Sequence, residues 1–317
     1  MQEKPIIGIS TCLLGHKVRY DGGHKYDSWL VETLGQFVDY FPVCPEVECG
    51  LPVPREAMRL VGKAEDPLLL TIKSGIDHTP RMKAWSARKI EELAGKNLCA
   101  YVFKSKSPSS GMERVKVYPA AGGAASKTGV GMFAREFMKA FPLIPVEEEG
   151  RLHDPILREN FIERIFVVWR WQQLLSEGGS PKAIVDFHTR HKLLLMAHSP
   201  LLYRELGKLV AEQKRVSLDE FKGLYFAKLM QAMKLHATSA KHMNVLQHIM
   251  GYFKKDLEPV EKTELLQIIE DFRAGLYPLI VPVTLLNHYV RKYRQEYLLG
   301  QYYLNPHPLE LKLRNHS

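Results

Sequence analysis

The feature that most constrains this chain is a change of rhythm near residue 150. Before it, short apolar runs at 6–10, 37–43, 68–72, 99–103 and 141–146 alternate with amphipathic segments at 81–94 and 132–141. Strands separated by helices build a parallel or mixed sheet, because parallel neighbours need a crossover long enough to hold a helix. After it, the apolar repeats take helical spacing, over 161–175, 184–197, 221–238, 242–257, 262–274 and 282–298. The expected fold is an α/β N-terminal domain with a mixed or parallel sheet and flanking helices, followed by an all-α helical C-terminal domain. Boundaries are expected at 1–150 for the first domain, 151–180 for a linking helix and 181–317 for the helical domain, with a break at Gly178-Gly179-Ser180-Pro181. Asn305-Pro306-His307-Pro308 reads as a surface tail.

Charge is divided along the same line. Of a net +9, residues 181–317 hold +7 (20 Lys and Arg against 13 Asp and Glu), and the first 180 hold only +2. A basic second half beside a near-neutral first half fits a polyanionic partner, or simply a soluble helical domain. Basic and aromatic residues interleave at 289–297, which suits either base stacking or a solvated face with tyrosines turned inward. No apolar run approaches the ~20 residues of a membrane span, and no signal peptide is visible. Four cysteines without a disulfide framework suit a reducing compartment, so a cytoplasmic protein with no membrane partner is expected, and no protein partner is inferred.

Three of those cysteines sit beside Gly or Pro at the ends of apolar runs. Ser10-Thr11-Cys12-Leu13-Leu14-Gly15 and Cys44-Pro45-Glu46-Val47-Glu48-Cys49-Gly50 carry them, and a serine loop, Lys104-Ser105-Lys106-Ser107-Pro108-Ser109-Ser110-Gly111, follows a third strand. Ligands in α/β sheets bind beyond the carboxyl ends of strands, so Cys12, Cys44 and residues 107–110 should meet on one rim. Thiolates among free backbone N–H groups are what a metal or iron–sulfur centre needs. Cys99, between Leu98 and Ala100, reads as a small core residue. Residues 122–129 miss the phosphate-loop spacing and read as a flexible loop. The C-terminal histidines show no metal-ligand spacing.

Cys12-Leu13-Leu14-Gly15 with 18–23, Cys44-Pro45-Glu46-Val47 with 50–55, and Lys106-Ser107-Pro108-Ser109 together resemble the thiouracil desulfurase (TudS) family over about residues 5–150. The helical half, from 186–192 to 293–295, resembles the YbgA-like domain. This pairing is similar to the RudS proteins, which remove sulfur from 4-thiouridine in transfer RNA. The resemblance implies a 4Fe-4S cluster held by three cysteines, with an open iron that takes the substrate's sulfur. It also implies tRNA containing 4-thiouridine as the partner. Many members have cysteine where this chain has Ser110, and glycine or an aliphatic residue where it has Cys49. The expected ligands are Cys12, Cys44 and Cys49, the alternatives being two cysteines plus Ser110 or a degenerate, unreactive site.

In the expected chemistry Glu46 is the base that activates water. Ser107 and Ser109 bind the pyrimidine or relay a proton, Lys104 or Lys106 holds phosphate or counters the cluster's charge, and Asp21 touches substrate or forms a turn. The rival is a non-catalytic RNA-binding protein whose thiolates, with His16 or His24, hold zinc. Electron transfer is a weaker rival, since an open site beside a carboxylate suits substrate activation.

Overall fold

The computed structural model describes residues 3–315. The chain divides into two compact units, one ending at Asp154 and the other beginning at Pro155. The first unit is α/β and the second is helical.

In the first unit the elements run β1 (Ile6–Ser10), β2 (Asp39–Val43), α1 (Pro45–Glu48), β3 (Met58–Gly62), β4 (Pro67–Thr71), α2 (Thr79–Ala94), β5 (Ala100–Phe103), β6 (Val115–Tyr118), β7 (Ser126–Gly129), α3 (Met132–Ala140) and β8 (Val146–Glu148). One four-stranded sheet has the order β2-β1-β5-β8, with every pairing parallel. Its central strands are apolar on both faces, as a covered parallel sheet requires: Ile7, Ile9 and all four residues of β5 are fully buried. Gly8 is dictated by β5, since a Cβ there would lie 2.2 Å from the Tyr101 ring. Tyr101 and Phe103 pack in turn against Phe133 and Phe137 of α3, and Phe133 against Trp85 of α2.

A second four-stranded sheet, β4-β3-β6-β7, is mixed. It includes two strands that were not among the expected ones, β6, whose Val115-Lys116-Val117-Tyr118 alternates inward and outward, and β7, inside the stretch expected to be a flexible loop. The strand expected at 141–146 begins only at Val146. Phe141 still donates to Phe137 O as the end of α3, and Ile144 closes a turn on Phe141.

The second unit comprises α4 (Pro155–Ser176), α5 (Pro181–His198), α6 (Pro200–Ala211), α7 (Leu218–Lys234), α8 (Ser239–Met250), α9 (Pro259–Arg273), α10 (Ile280–Lys292) and α11 (Glu296–Leu299). α4 occupies the stretch read as a linking helix and groups with this unit. Ser180, Ser199, Ser217 and Thr238 each cap a helix by accepting a backbone N–H, and Pro follows directly at the first two. The surface tail is not found. His307 is buried, and Arg314 is only 3% exposed, bonded to Glu159 at 3.2 Å and Glu163 at 3.0 Å. Neither arginine nor glutamate tolerates burial alone, so the C-terminal segment is held down by this pairing. Among the described residues, no helix is long and apolar enough to cross a membrane.

Candidate functional site

A cavity of about 600 Å³ opens in the first unit at the carboxyl end of the parallel sheet. The chain enters it three times, each time just after a strand: Thr11 and Cys12 after β1, Cys44 to Glu46 after β2, and the serine loop after β5. Parallel strands deliver their following loops to one edge, and the expected meeting of these segments is observed.

Cys12 and Cys44 are buried at the cavity wall. Burial pushes the Cys12 thiol up to about 11, with Lys104 pulling the other way. Burial and the Glu46 carboxylate raise Cys44 to about 12. Such thiols give up their protons to a bound cation rather than to water. Ser110 lines the same cavity and is 2% exposed.

Glu46 stands between the thiols and the serine loop. It sits in the first turn of α1, whose start is fixed by Pro45 and by Glu48 accepting the Cys44 N–H at 2.8 Å. Glu48 is itself tied to Lys89 at 2.7 Å. Ser109 Oγ donates to Glu46 Oε1 at 2.6 Å, and Ser107 Oγ lies 3.0 Å from Ser109 Oγ. The other Glu46 oxygen, Oε2, lies 3.7 Å from Cys44 Sγ and 3.9 Å from Arg55. A carboxylate reached by a hydroxyl chain is suited to accept and pass a proton.

Arg55 is the residue that sequence reasoning missed. Its side chain is 7% exposed, and its Nε is buried without a hydrogen-bond partner. Nη1 donates to Val18 O at 3.0 Å. A guanidinium left partly unpaired at a cavity wall is costly unless an anion or acceptor completes it. The signal available in the sequence was its place in Gly50-Leu51-Pro52-Val53-Pro54-Arg55. Six cations line the cavity, Arg19, Lys25, Arg55, Lys104, Lys106 and Lys116, against one carboxylate, Glu46. Lys25, Lys106 and Lys116 pair with no acidic side chain among the described residues.

Other expected site residues are placed elsewhere. Cys49 does not line the cavity. It follows α1 on the side packed against the apolar cluster, and its thiol donates to the Glu46 carbonyl at 3.2 Å. With the Cys49 thiol turned to the Glu46 carbonyl, the three cysteines of the expected set do not line one cavity. Among the described residues no group of three His, Cys, Asp or Glu is placed to hold a metal. Asp21 lies in an exposed turn, accepting from Gly23 N at 3.0 Å and Arg19 at 3.3 Å, and is not part of the lining. Those contacts, the Gly23 N–H first, hold its carboxyl below the usual range. Lys104 lines the cavity, but its ammonium is taken up by Glu149 and by Ser105. His16 and His24 are outside the lining.

The donors that would hold a metal group are therefore Cys12, Cys44 and Ser110. Two buried thiols supply the soft sulfur that iron favours, and a buried hydroxyl supplies a third, harder donor. This donor set fits an iron–sulfur group.

In the second unit a cavity of about 400 Å³ lies beside Glu163, His198 and Asn160. Burial works against the charged form of Glu163, but His198 at 2.9 Å and Arg314 outweigh it and hold the carboxyl well below its usual range. His198 also bonds Leu235 O at 2.6 Å, so both ring nitrogens are engaged and the network serves as a lock. In the basic and aromatic stretch, Tyr289 is buried, while Lys292 and Tyr293 are tied to Glu261 at 2.6 and 2.7 Å. Tyr289 thus packs inward, as one of the two expected readings has it.

Comparison with known proteins follows the division of the chain. The family model for 2-thiouracil desulfurase matches residues 7–149, and that for a protein of unknown function (DUF1722) matches 192–308. A solved 4Fe-4S-dependent thiouracil desulfidase, TudS, is 29% identical, with 48% of this chain and 95% of that chain covered and a TM-score of 0.39. The uncharacterized protein YbgA of Escherichia coli (strain K12) is 33% identical over 158 residues, which span 50% of this chain and 94% of YbgA. The chain thus belongs to the YbgA family, with a 2-thiouracil desulfurase match across its first unit.

Proposed function

We propose that the chain is an iron–sulfur-dependent desulfidase that converts 4-thiouridine in tRNA to uridine, releasing sulfide. The observation that carries this reading is the cavity that two buried thiols line together with Glu46 and Ser107, which the buried Ser109 hydroxyl bridges, beside the cations Lys25, Lys106 and Lys116. The 2-thiouracil desulfurase match over the same residues supports it. When bound, a 4Fe-4S cluster supplies a soft Lewis acid for the thiocarbonyl sulfur. Cys12, Cys44 and Ser110 would hold it.

The chain's own residues do the rest. Glu46 Oε2 takes a proton from water as the water oxygen bonds to C4 of the pyrimidine. Glu46 returns that proton to sulfur, the C–S bond breaks with sulfide leaving as HS⁻, and the hydroxyl at C4 passes its remaining proton through Glu46 to solvent as the C=O of uracil forms. Ser109 keeps Glu46 aimed, and Ser107 continues the hydroxyl chain. Arg55 completes its guanidinium on the substrate, while Lys25, Lys106 and Lys116 take up the phosphates on either side. A nucleoside within tRNA must leave its stack to enter such a cavity. The basic second unit supplies a sequence-independent grip on the backbone.

The test is incubation of anaerobically reconstituted protein with tRNA containing 4-thiouridine, following loss of the thiocarbonyl's near-ultraviolet absorbance and identifying the nucleoside formed. Uridine is the expected product. An intact cluster and bound tRNA without conversion would leave a binding protein. A colourless protein that carries zinc would overturn the cofactor as well. Binding should weaken steeply with salt, as phosphate contacts release counterions.

A further inference from the structure

The serine loop is fastened at both ends by neighbouring carboxylates that do not line the cavity. At its start, Glu149 Oε2 accepts the Ser105 N–H at 2.8 Å, and Glu149 Oε1 accepts Ser105 Oγ at 2.7 Å and pairs with Lys104. At its finish, Glu148 Oε1 accepts the Met112 N–H at 2.9 Å. Glu147 adds a second tie there through Arg151, which it binds at 2.6 Å and which reaches Glu113 at 3.0 Å. All three acids sit at the end of β8, where parallel pairing with β5 holds them beside the point at which the loop leaves the sheet.

What these ties enclose is itself unusual backbone. Lys106 sits at φ +60, in the left-handed region that a lysine adopts only under constraint. Beyond it the loop lies against the start of α3. Pro108 O accepts Met132 N–H at 3.1 Å, Ser109 O accepts Phe133 N–H at 2.9 Å, and Gly111 O accepts Gly131 N–H at 2.7 Å. The loop is thus seated in the middle and strapped at each end. Glu148 is 7% exposed, and burial pushes its carboxyl above the usual range. A buried carboxylate is a poor choice for simply closing a strand, where an apolar side chain would serve. It is a good choice for fixing a backbone N–H at a set distance, as preorganised sites require.

We infer that Glu148 and Glu149 are positioning residues: they set the distance between the serine hydroxyls and Glu46 by holding the loop at its two ends, without touching substrate. This rests on the proposed desulfidase reading for its kinetic consequence, but its structural half stands independently. It also reassigns Lys104, whose ammonium serves as a strut to Glu149 rather than as a phosphate ligand.

The experiment compares Glu149→Ala, Glu149→Gln and Glu148→Ala in the full chain, by amide hydrogen exchange on the metal-free protein and by steady-state kinetics on the reconstituted one. Exchange over residues 106–111 should quicken about tenfold or more in Glu149→Ala, while amides of β1 and α2 stay within about twofold. In kinetics, kcat should fall about tenfold or more with KM nearly unchanged, and Glu149→Gln, which keeps an acceptor for Ser105, should recover much of both. Unchanged exchange in the loop, or a rise shared equally by β1 and α2, would overturn the inference. If the wild-type protein shows no desulfurisation, the functional reading falls, and the exchange comparison still decides this one.

Discussion

At the scale of single residues, the site turns on which side chain stands third beside Cys12 and Cys44. Ser110 lines the cavity and Cys49 does not, so Cys49→Ala should keep its iron after reconstitution, whereas Cys12→Ala and Cys44→Ala should lose most of it. Ser110→Cys should raise the iron bound and slow its loss in air, because a thiolate is a softer ligand than a hydroxyl. Iron and sulfide assays on the purified variants read this directly. A Cys49→Ala protein that cannot take up iron would restore Cys49 to the site. Glu46→Gln keeps the shape and the Ser109 contact but removes the base. Its kcat should drop about 10²–10⁴-fold with the iron content intact. Cys49 shows why the lining of the cavity was not fully legible in the sequence. Spacing says that two cysteines are near each other along the chain, but the direction of each thiol depends on how α1 packs.

At the scale of elements, α3 and the serine loop share backbone hydrogen bonds, and Gly131 is where they touch. A Cβ on Gly131 would lie 2.6 Å from Ser109 C and O and 2.7 Å from Ser110 N, all backbone atoms that cannot swing aside. Gly131→Ala should therefore destabilise the protein by about 1–3 kcal/mol and cut activity further than that loss explains. Thermal unfolding and kcat measured together check it, and a normal kcat in a destabilised protein would count against it. The parallel strands were readable because Ile6-Ile7-Gly8-Ile9-Ser10 and Ala100-Tyr101-Val102-Phe103 are apolar on both faces. Of the second sheet the run at β4 was readable, but β7 was not, since it is Ser126-Lys127-Thr128-Gly129, polar and paired with β6 at the sheet edge. Arg55 was likewise invisible as a site residue until the fold showed its Nε unpartnered.

At the scale of the whole molecule, the two units answer acid differently, because the second holds buried histidines. Burial lowers His188 to about 4, and its Nδ1 lies 3.2 Å from the Tyr225 hydroxyl. In the unfolded chain the same ring takes its proton near 6.5. Between those values the unfolded chain binds more protons, so stability is whole above about 6.5 and falls as pH drops towards 4. His188 alone should remove about 2 kcal/mol between pH 7 and pH 5, with His191, also lowered by burial, adding to it. Denaturant unfolding at the two pH values checks this, and His188→Gln should flatten the difference even though it starts from lower stability. The division into an α/β half and a helical half was legible because hydrophobic period survives burial, whereas the buried Arg314 was not, since nothing in Leu313-Arg314-Asn315 announces its two glutamate partners.

The all-parallel order β2-β1-β5-β8 has a consequence for how the protein matures. Cys12, Cys44 and Ser110 arrive from three separate crossings of the sheet, and no local stretch of chain brings two of them to the same side. The socket therefore does not exist in a nascent or partly folded chain. Under the proposed desulfidase reading, iron and sulfide have to reach a sheet that is already assembled, through the cationic mouth of the cavity.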